Sequence, residues 1–485
     1  MHWFTDWHTI KRPVSLCSDT TEDTMIALFR KQPASFYRSL RMLSMPIILQ
    51  NLITTALGFT DTFMVGLLGN EQMSAVTLAN VPIFILQMLI FGLQSGSAVL
   101  ISQYWGRQDL KNINRVMGVG FMVAGGLASA LAVVLFFFSP QVMMLVTNNP
   151  ALQELGAPYL KLVGLSYVFN SLSSIYVGAH RSIEHPQLGA TVFGISMLLN
   201  TVLNYILIFG KFGAPAMGII GAAIATLTSR IVEFLICLVY ALRCKELPLD
   251  FSALLRPGTD TLRSFIRYSA PVVCNETLWG TGSSMFNVIM GHMVNSTDMV
   301  AAYTLVGYVE KLFTVVVFGL AAAAAVVVGK AIGAGEDDHA VREKGDILLV
   351  ISALCGLAVG LFMLLLLPLL LQPVVFPLFK LSVSGTHIAT VMLVFAALRS
   401  PLKAYNCTLN VGVLRGGGDV ATAMLIDISP LWCVAVPVMA LAALVLQLDI
   451  VWVCLAYMLE DLVKFPLGVL RLRSKKWIKR IASPQ

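Results

Sequence analysis

The sequence predicts an all-α integral membrane protein, with twelve transmembrane helices in two pseudo-symmetric six-helix lobes around a central cleft. Three observations predict it. First, the 485 residues are 57% hydrophobic and only 12% charged, with a mean hydropathy of +0.80, a composition no soluble domain of this length sustains. Second, with a hydrocarbon core of roughly 30 Å and about 20 residues per spanning helix, twelve apolar blocks fit the chain. Third, the first half is written again in the second. Pro46, Gly66, Asn70, Phe91-Gly92-Leu93, Gly106 and Asp109 return in order as Pro271, Gly291, Asn295, Phe318-Gly319-Leu320, Gly333 and Glu336 or Asp337, and Gly178-Ala179-His180-Arg181 returns as Gly412-Val413-Leu414-Arg415. Duplicated membrane chains place their working sites at the interface of the repeats.

In chain order, residues 1–37 read as a cytoplasmic segment. No apolar run there precedes a small-residue cleavage site, so no removable signal peptide is expected, and Met25 is a candidate natural start. Blocks near 40–66, 74–104, 116–139, 154–180, 188–209 and 217–242 build the N-lobe, 38–243. The stretch 244–261 is a polar connector carrying Lys245, Glu246, Asp250 and Arg256-Pro257-Gly258. Blocks near 265–292, 302–330, 346–371, 385–413, 421–446 and 448–470 build the C-lobe, 262–470, and a basic cytoplasmic tail, 471–485, follows. Pro46, Pro82, Pro271, Pro401, Pro437 and Pro466 fall inside helices, where each removes a backbone hydrogen bond and marks a candidate kink. Gly118–Gly126 and Ala321–Ala325 allow close helix contact.

Basic loops stay cytoplasmic. With both ends inside, the inner segments hold Arg38, Arg41, Arg107, Lys111, Arg115, Arg181, Arg243, Lys245, Arg263, Arg267, Lys330, Arg342, Lys344 and Arg415, whereas the outer ones hold Lys211 and Lys380. This asymmetry supports an even helix count and a cell-membrane protein. It also accounts for the net charge of +7 without nucleic acid as a partner, the tail touching anionic lipid heads instead. The eight cysteines form no C-x-x-C pair and read as small buried apolar residues. There is no Walker A, H-E-x-x-H or G-x-S-x-G, and the seven histidines lack ligand spacing. No catalytic residue, resident metal or cofactor is expected, and the chain is not read as an enzyme.

The informative residues are ionisable groups inside apolar blocks, because a charge at the bilayer centre costs roughly 2.5–3.5 kcal/mol on insertion scales. Asp61 lies in Phe59-Thr60-Asp61-Thr62-Phe63 with no Lys or Arg within a turn. It reads as a protonatable or cation-binding carboxylate facing the cleft, or as a carboxylate held by Thr60 or Thr62. Glu276, in the matching helix of the second half, has Asn275 and Thr277 beside it as hydrogen-bonding neighbours and Trp279 as a ring face for a cationic compound. Asn200 and Asn204 are spaced i, i+4, on one helix face, and Thr226 can complete their cluster, either for ion coordination or for helix-to-helix bonds. Arg230 and Glu233, and Glu460 and Lys464, have spacings for local pairing. Arg399 and Lys403 lack nearby acids in sequence, so they look to Asp427 or Glu310, and Asp427 itself is either functional or a pairing partner. Trp279, Phe286, Met285, Met290, Tyr405 and Asn406 are candidate lining, since aromatics and methionines re-pack around different shapes.

Over about Leu40 to Leu470 the chain resembles the multidrug and toxic compound extrusion (MATE) family. The resemblance is carried by Gly58-Phe59-Thr60-Asp61-Thr62-Phe63-Met64-Val65-Gly66, by Leu203-Asn204-Tyr205 through Phe212-Gly213-Ala214-Pro215, by Gly221-Ala222-Ala223-Ile224-Ala225-Thr226, and by Gly412-Val413-Leu414-Arg415-Gly416-Gly417-Gly418-Asp419. It implies a twelve-helix exporter that opens alternately to either side and exchanges organic, often cationic, compounds for inward Na⁺ or H⁺; a monomer is expected. It also implies that Asp61, Asn200, Asn204 and Thr226 form an ion-coupling site in the N-lobe and that Glu276 is the acid of the seventh helix. The tenth-helix acid of the sodium-driven branch has no counterpart around Lys403-Ala404-Tyr405-Asn406, which leaves Asp61, Glu276 or Asp427 to couple transport. A lipid-linked oligosaccharide flippase of the same superfamily is the alternative, for which Arg230, Arg399 and Lys403 supply the cationic groups.

Overall fold

The structure, a computed structural model, describes residues 32–293, 296–379 and 381–481. The readings on Met25, the leader and the first 31 residues therefore lie outside the described residues, as do Asn295 and Lys380. The described residues fall into two compact units, divided between Ser39 and Leu40; in the first, Phe36 and Tyr37 meet edge to face at 5.3 Å.

All regular structure among the described residues is helical. The helices are α1 Ala34–Gly66, α2 Asn70–Gly106, α3 Leu110–Val146, α4 Pro150–Ser182, α5 Gln187–Phe209, α6 Gly218–Arg243, α7 Thr259–Gly291, α8 Ser296–Gly333, α9 Asp338–Val375, α10 Val383–Leu414, α11 Val420–Val445 and α12 Ile450–Arg473. A short helix, Phe251–Leu255, capped by Asp250, sits between α6 and α7. Ten of the helices described are long and apolar enough to cross a membrane. The exceptions are α7 and α12, and the reason is chemical. Every 18-residue stretch of α12 contains Glu460, Asp461 and Lys464, while α7 strings Asn275, Glu276, Thr277, Thr281, Ser283 and Ser284 along its middle.

Acids that recur between the halves cap helices. Asp109 accepts from the Asn112 amide at the start of α3, and Asp337 accepts from the His339 amide at the start of α9, each satisfying an orphan donor. Recurring glycines mark crossings. A Cβ on Gly92 would strike Val273 of α7, and one on Gly319 would strike Ile48 of α1. Likewise Gly106 abuts the Lys330 carbonyl, and Gly333 abuts the Gln103 backbone. No side chain larger than hydrogen fits between backbones this close.

At the interior prolines the helices continue. Helices α1, α2, α7 and α12 run through Pro46, Pro82, Pro271 and Pro466; the irregular residue inside a helix is Phe138, before Pro140. Among the described residues, π-helical turns gather in the second half, at Leu367–Val375, Thr408–Leu414, Leu431–Ala435 and Leu441–Val445. Pro373 lies inside the first of these turns and Pro437 just past the third, and both remove a backbone donor there.

The tail also departs from expectation, because protein receives much of it. Trp477 is fully buried against Gly417 and Gly345, and Gln103 of α2 bonds the Lys479 carbonyl at 3.1 Å and the Ile481 amide at 3.0 Å. Arg471 and Lys479 each reach Asp419 at 2.6 Å. Burial pushes the Asp419 carboxyl up, but those two hydrogen-bonded cations hold it below the usual carboxylate range.

Candidate functional site

Helices of both halves enclose a cavity of about 960 Å³, at the upper end of small-molecule sites. It runs along α2 from Val99 to Met73. Two turns beyond Val99 the crossings of Gly106 and Gly333 close it, and Lys330 of α8 reinforces that end by pairing with Glu184 at 2.6 Å.

On the first-half wall, Asp61 faces the cavity. The hydroxyls of Thr60 and Thr62 turn back to the carbonyls of Ala56 and Gly58 at 2.9 and 2.8 Å, so they do not hold the carboxylate. Asn204 does: its Nδ2 donates to Asp61 Oδ1 at 2.6 Å and to Asn200 Oδ1 at 3.0 Å, while Asn200 Nδ2 reaches Thr226 Oγ1 at 3.4 Å. Both asparagines are buried. Asn204 Oδ1 is also buried and has no hydrogen-bond partner, an expensive condition. Asp61 forms no ion pair among the described residues. Carboxylate, amide and hydroxyl oxygens converge here, a donor set suited to a proton or a small hard cation.

The second-half acids are arranged differently. Glu276 lines the cavity but pairs with Arg415 at 2.9 Å. Its expected neighbours are engaged elsewhere, Thr277 with the Val273 carbonyl and Asn275 with Asp427. Glu310 receives both Arg399 and Lys403 at 2.6 Å. Arg399 lies 3.5 Å from Asp461 and 4.0 Å over the Tyr457 ring. Asp427 pairs with Lys464 at 2.9 Å, and Lys464 reaches Glu460 at 2.5 Å. The partner of Arg399 and Lys403 is therefore Glu310, not Asp427.

The structure thus gathers Asp61, Asn200, Asn204 and Thr226 into one network and sets Glu276 and Trp279 on the same cavity. The other candidates lie off that cavity. Phe286 is buried edge-on to Tyr457 of α12 in the apolar core. Asn406 is buried and donates to Asp461; Tyr405 packs on Phe465. Met290 borders a smaller adjoining pocket, and Met285 is half-buried outside the cavity. Sequence reasoning missed a polar ladder on this wall: Asn80 and Gln87 of α2 bond the hydroxyls of Tyr159 and Tyr167 of α4 at 3.5 and 2.6 Å. Their i, i+7 and i, i+8 spacings were the available signal. Arg181, expected in a cytoplasmic loop, also lines the cavity.

The MatE family model matches residues 46–206 and again 271–451. A probable multidrug resistance protein NorM of Thermotoga maritima is 25% identical over 450 residues, which is 91% of this chain and 93% of the relative. One of Bradyrhizobium diazoefficiens is 29% identical over 454 residues, 90% and 93% respectively. Among solved structures, an outward-facing multidrug resistance MATE family transporter of the MOP superfamily superposes with a TM-score of 0.80 at 20% identity. The match covers 95% of this chain and all of that one. A MOP superfamily transporter from Pyrococcus furiosus matches with the same score and coverage.

Proposed function

The chain belongs to the MatE family, and from that premise we propose that it is a secondary active exporter, an antiporter that exchanges small organic compounds for inward Na⁺ or H⁺ by alternating access. Membership makes it a multi-pass membrane transporter of small organic compounds, not an enzyme. The finer reading is ours: twelve spans form an N-lobe, 38–243, and a C-lobe, 262–470, joined by the connector 244–261, with both termini in the cytoplasm and the cavity open outward. We read the chain as acting as a monomer.

The observation that carries the coupling is Asp61. A membrane-embedded carboxylate held by neutral amides is unstable as a bare charge, so it takes a proton or Na⁺ from the cavity. Asn204 Oδ1, lacking a donor, and Asn200 Oδ1 stand ready to complete the shell of a cation. Once the site is filled, Asp61 no longer holds an uncompensated charge, and closing the cavity around it becomes cheaper. Ion occupancy thereby biases a two-state rocking equilibrium that cargo biases the other way. Glu276, Glu310 and Asp427 already hold basic side chains and have no need of a mobile ion. The flippase alternative drew on Arg230, Arg399 and Lys403, and each of these pairs with an acid at 2.6 Å.

The test is efflux of a fluorescent dye from a pump-deficient host, with Na⁺ present and absent at fixed pH. Asp61→Asn is expected to cut coupled efflux by about 100-fold, the scale of losing a charge-dependent interaction. Efflux at the wild-type rate would remove Asp61 from the mechanism.

A further inference from the structure

The cavity carries an excess of positive charge that the coupling site does not explain. Arg181, Arg230, Lys311, Lys403 and Arg415 line it against Asp61, Glu276 and Glu310. Arg230, Lys403 and Arg415 are each matched by an acid, at 2.6, 2.6 and 2.9 Å. Arg181 and Lys311 form no ion pair, and the Arg181 guanidinium makes no hydrogen bond, among the described residues.

The repeat explains how Arg181 comes to be unmatched. Arg181 is the first-half copy of Arg415, whose partner is Glu276, and the first-half copy of Glu276 is Asn51. Asn51 lines the same cavity. Its neighbour Gln50 packs against Gly189 of α5, which also abuts Val177, about one turn before Arg181 on α4. The second half thus holds a closed arginine–glutamate pair where the first half has the arginine and, at the acid's place, Asn51. A guanidinium facing a membrane cavity without a counter-ion is costly, and its planar fork matches an oxyanion.

We infer that the cargo carries an anionic group, a carboxylate, sulfonate or phosphate, and that Arg181 receives it, with Lys311 adding to the positive field. The inference rests on the cavity being the transport site, and it departs from the cationic cargo that the sequence suggested. Ion and anion need not share a place. Asp61 stands ten residues from Asn51 on α1, about 15 Å along the helix, too far for the two occupants to touch. Exchange is therefore set by the common conformational equilibrium and not by contact between the two.

The experiment uses the full chain in proteoliposomes and one xanthene dye in two forms, the free carboxylic acid and its methyl ester. The acid is expected to move at least about fivefold faster. Arg181→Gln should lower kcat/KM for the acid about tenfold, mainly through KM, and leave the ester unchanged, while Arg181→Lys should recover most of the loss. Asn51→Glu, which restores the repeat's missing acid without touching Arg181, should mimic Arg181→Gln. Equal movement of both forms, or equal slowing of both by Arg181→Gln and Asn51→Glu, overturns the inference. Binding of the two dyes to the solubilised protein, followed by fluorescence polarisation, separates this claim from the exporter reading. Arg181-dependent binding of the acid without transport keeps the anion site and sinks the exporter; absence of binding sinks the anion site. A short-chain polyprenyl pyrophosphate that displaces the acid dye at much lower concentration than inorganic pyrophosphate would assign the same anion site to a lipid headgroup, and equal potency would assign it to soluble acids.

Discussion

Asp61 in the first half and the trio Glu276, Glu310 and Asp427 in the second are all half-buried carboxylates inside long helices, yet they are balanced in opposite ways. Asp61 is held by the Asn204 amide at 2.6 Å. Each member of the trio has an Arg or Lys within 2.9 Å. The glycine crossings and the helix-capping acids recur in both halves, so the backbone plan is shared and the difference lies in side-chain charge. Glu276, Glu310 and Asp427 are each matched by a cation of the chain, as Glu233 is by Arg230 in the first half. The division therefore lies between these paired acids and Asp61, held by a neutral amide.

That division is broken most directly at Lys464, which bridges Asp427 and Glu460. Lys464→Met leaves two buried acids facing one another, and removal of one partner of a buried pair costs about 3–5 kcal/mol. The expected result is a large fall in melting temperature in detergent, or failure to purify as a folded monomer. Asp61→Asn, by contrast, keeps the oxygen that accepts from Asn204 and should melt within a few degrees of wild type. A Lys464→Met protein as stable as wild type would mean that the second half is not held by its ion pairs.

A smaller effect sharpens the same contrast from the other side. Asn204→Asp places a second carboxylate against Asp61, and two such groups cannot both ionise without a cation between them. Saturating Na⁺ is then expected to raise the melting temperature of Asn204→Asp by about 3 °C more than it raises that of wild type. Equal shifts would show that the converging oxygens do not form a cation shell.

How much of this was legible in the sequence follows from how far each signal reaches along the chain. Asn200 and Asn204 announce a shared face because four residues make one helical turn. The helices announce themselves by apolar length, except α7 and α12, whose polar residues dilute that signal for the same reason that they matter. Pairs such as Arg415 with Glu276, 139 residues apart, leave no local trace. Glu276 was therefore read with Asn275 and Thr277 as its neighbours, and Arg181 and Arg415 were read as loop residues. The repeat held the missing signal: an arginine written in both copies, with an acid at the matching place in one, marks an unbalanced charge in the other.

The finest test lies at the edge of the Asp61 network. Thr226 Oγ1 accepts from Asn200 at 3.4 Å, the longest bond in the chain of donors, and a neutral bond of that length contributes less than about 1 kcal/mol. If the network only positions Asn204, Thr226→Val should lower coupled transport no more than about threefold, with the same loss under a Na⁺ gradient and a pH gradient. If Thr226 Oγ1 is instead a ligand of a bound metal cation, its loss should fall on Na⁺-driven transport and spare proton-driven transport, because a proton on Asp61 needs no fourth oxygen. Measuring both gradients on this one variant therefore distinguishes an oxygen shell from a hydrogen-bond relay, which removal of Asp61 itself cannot do, since it abolishes both.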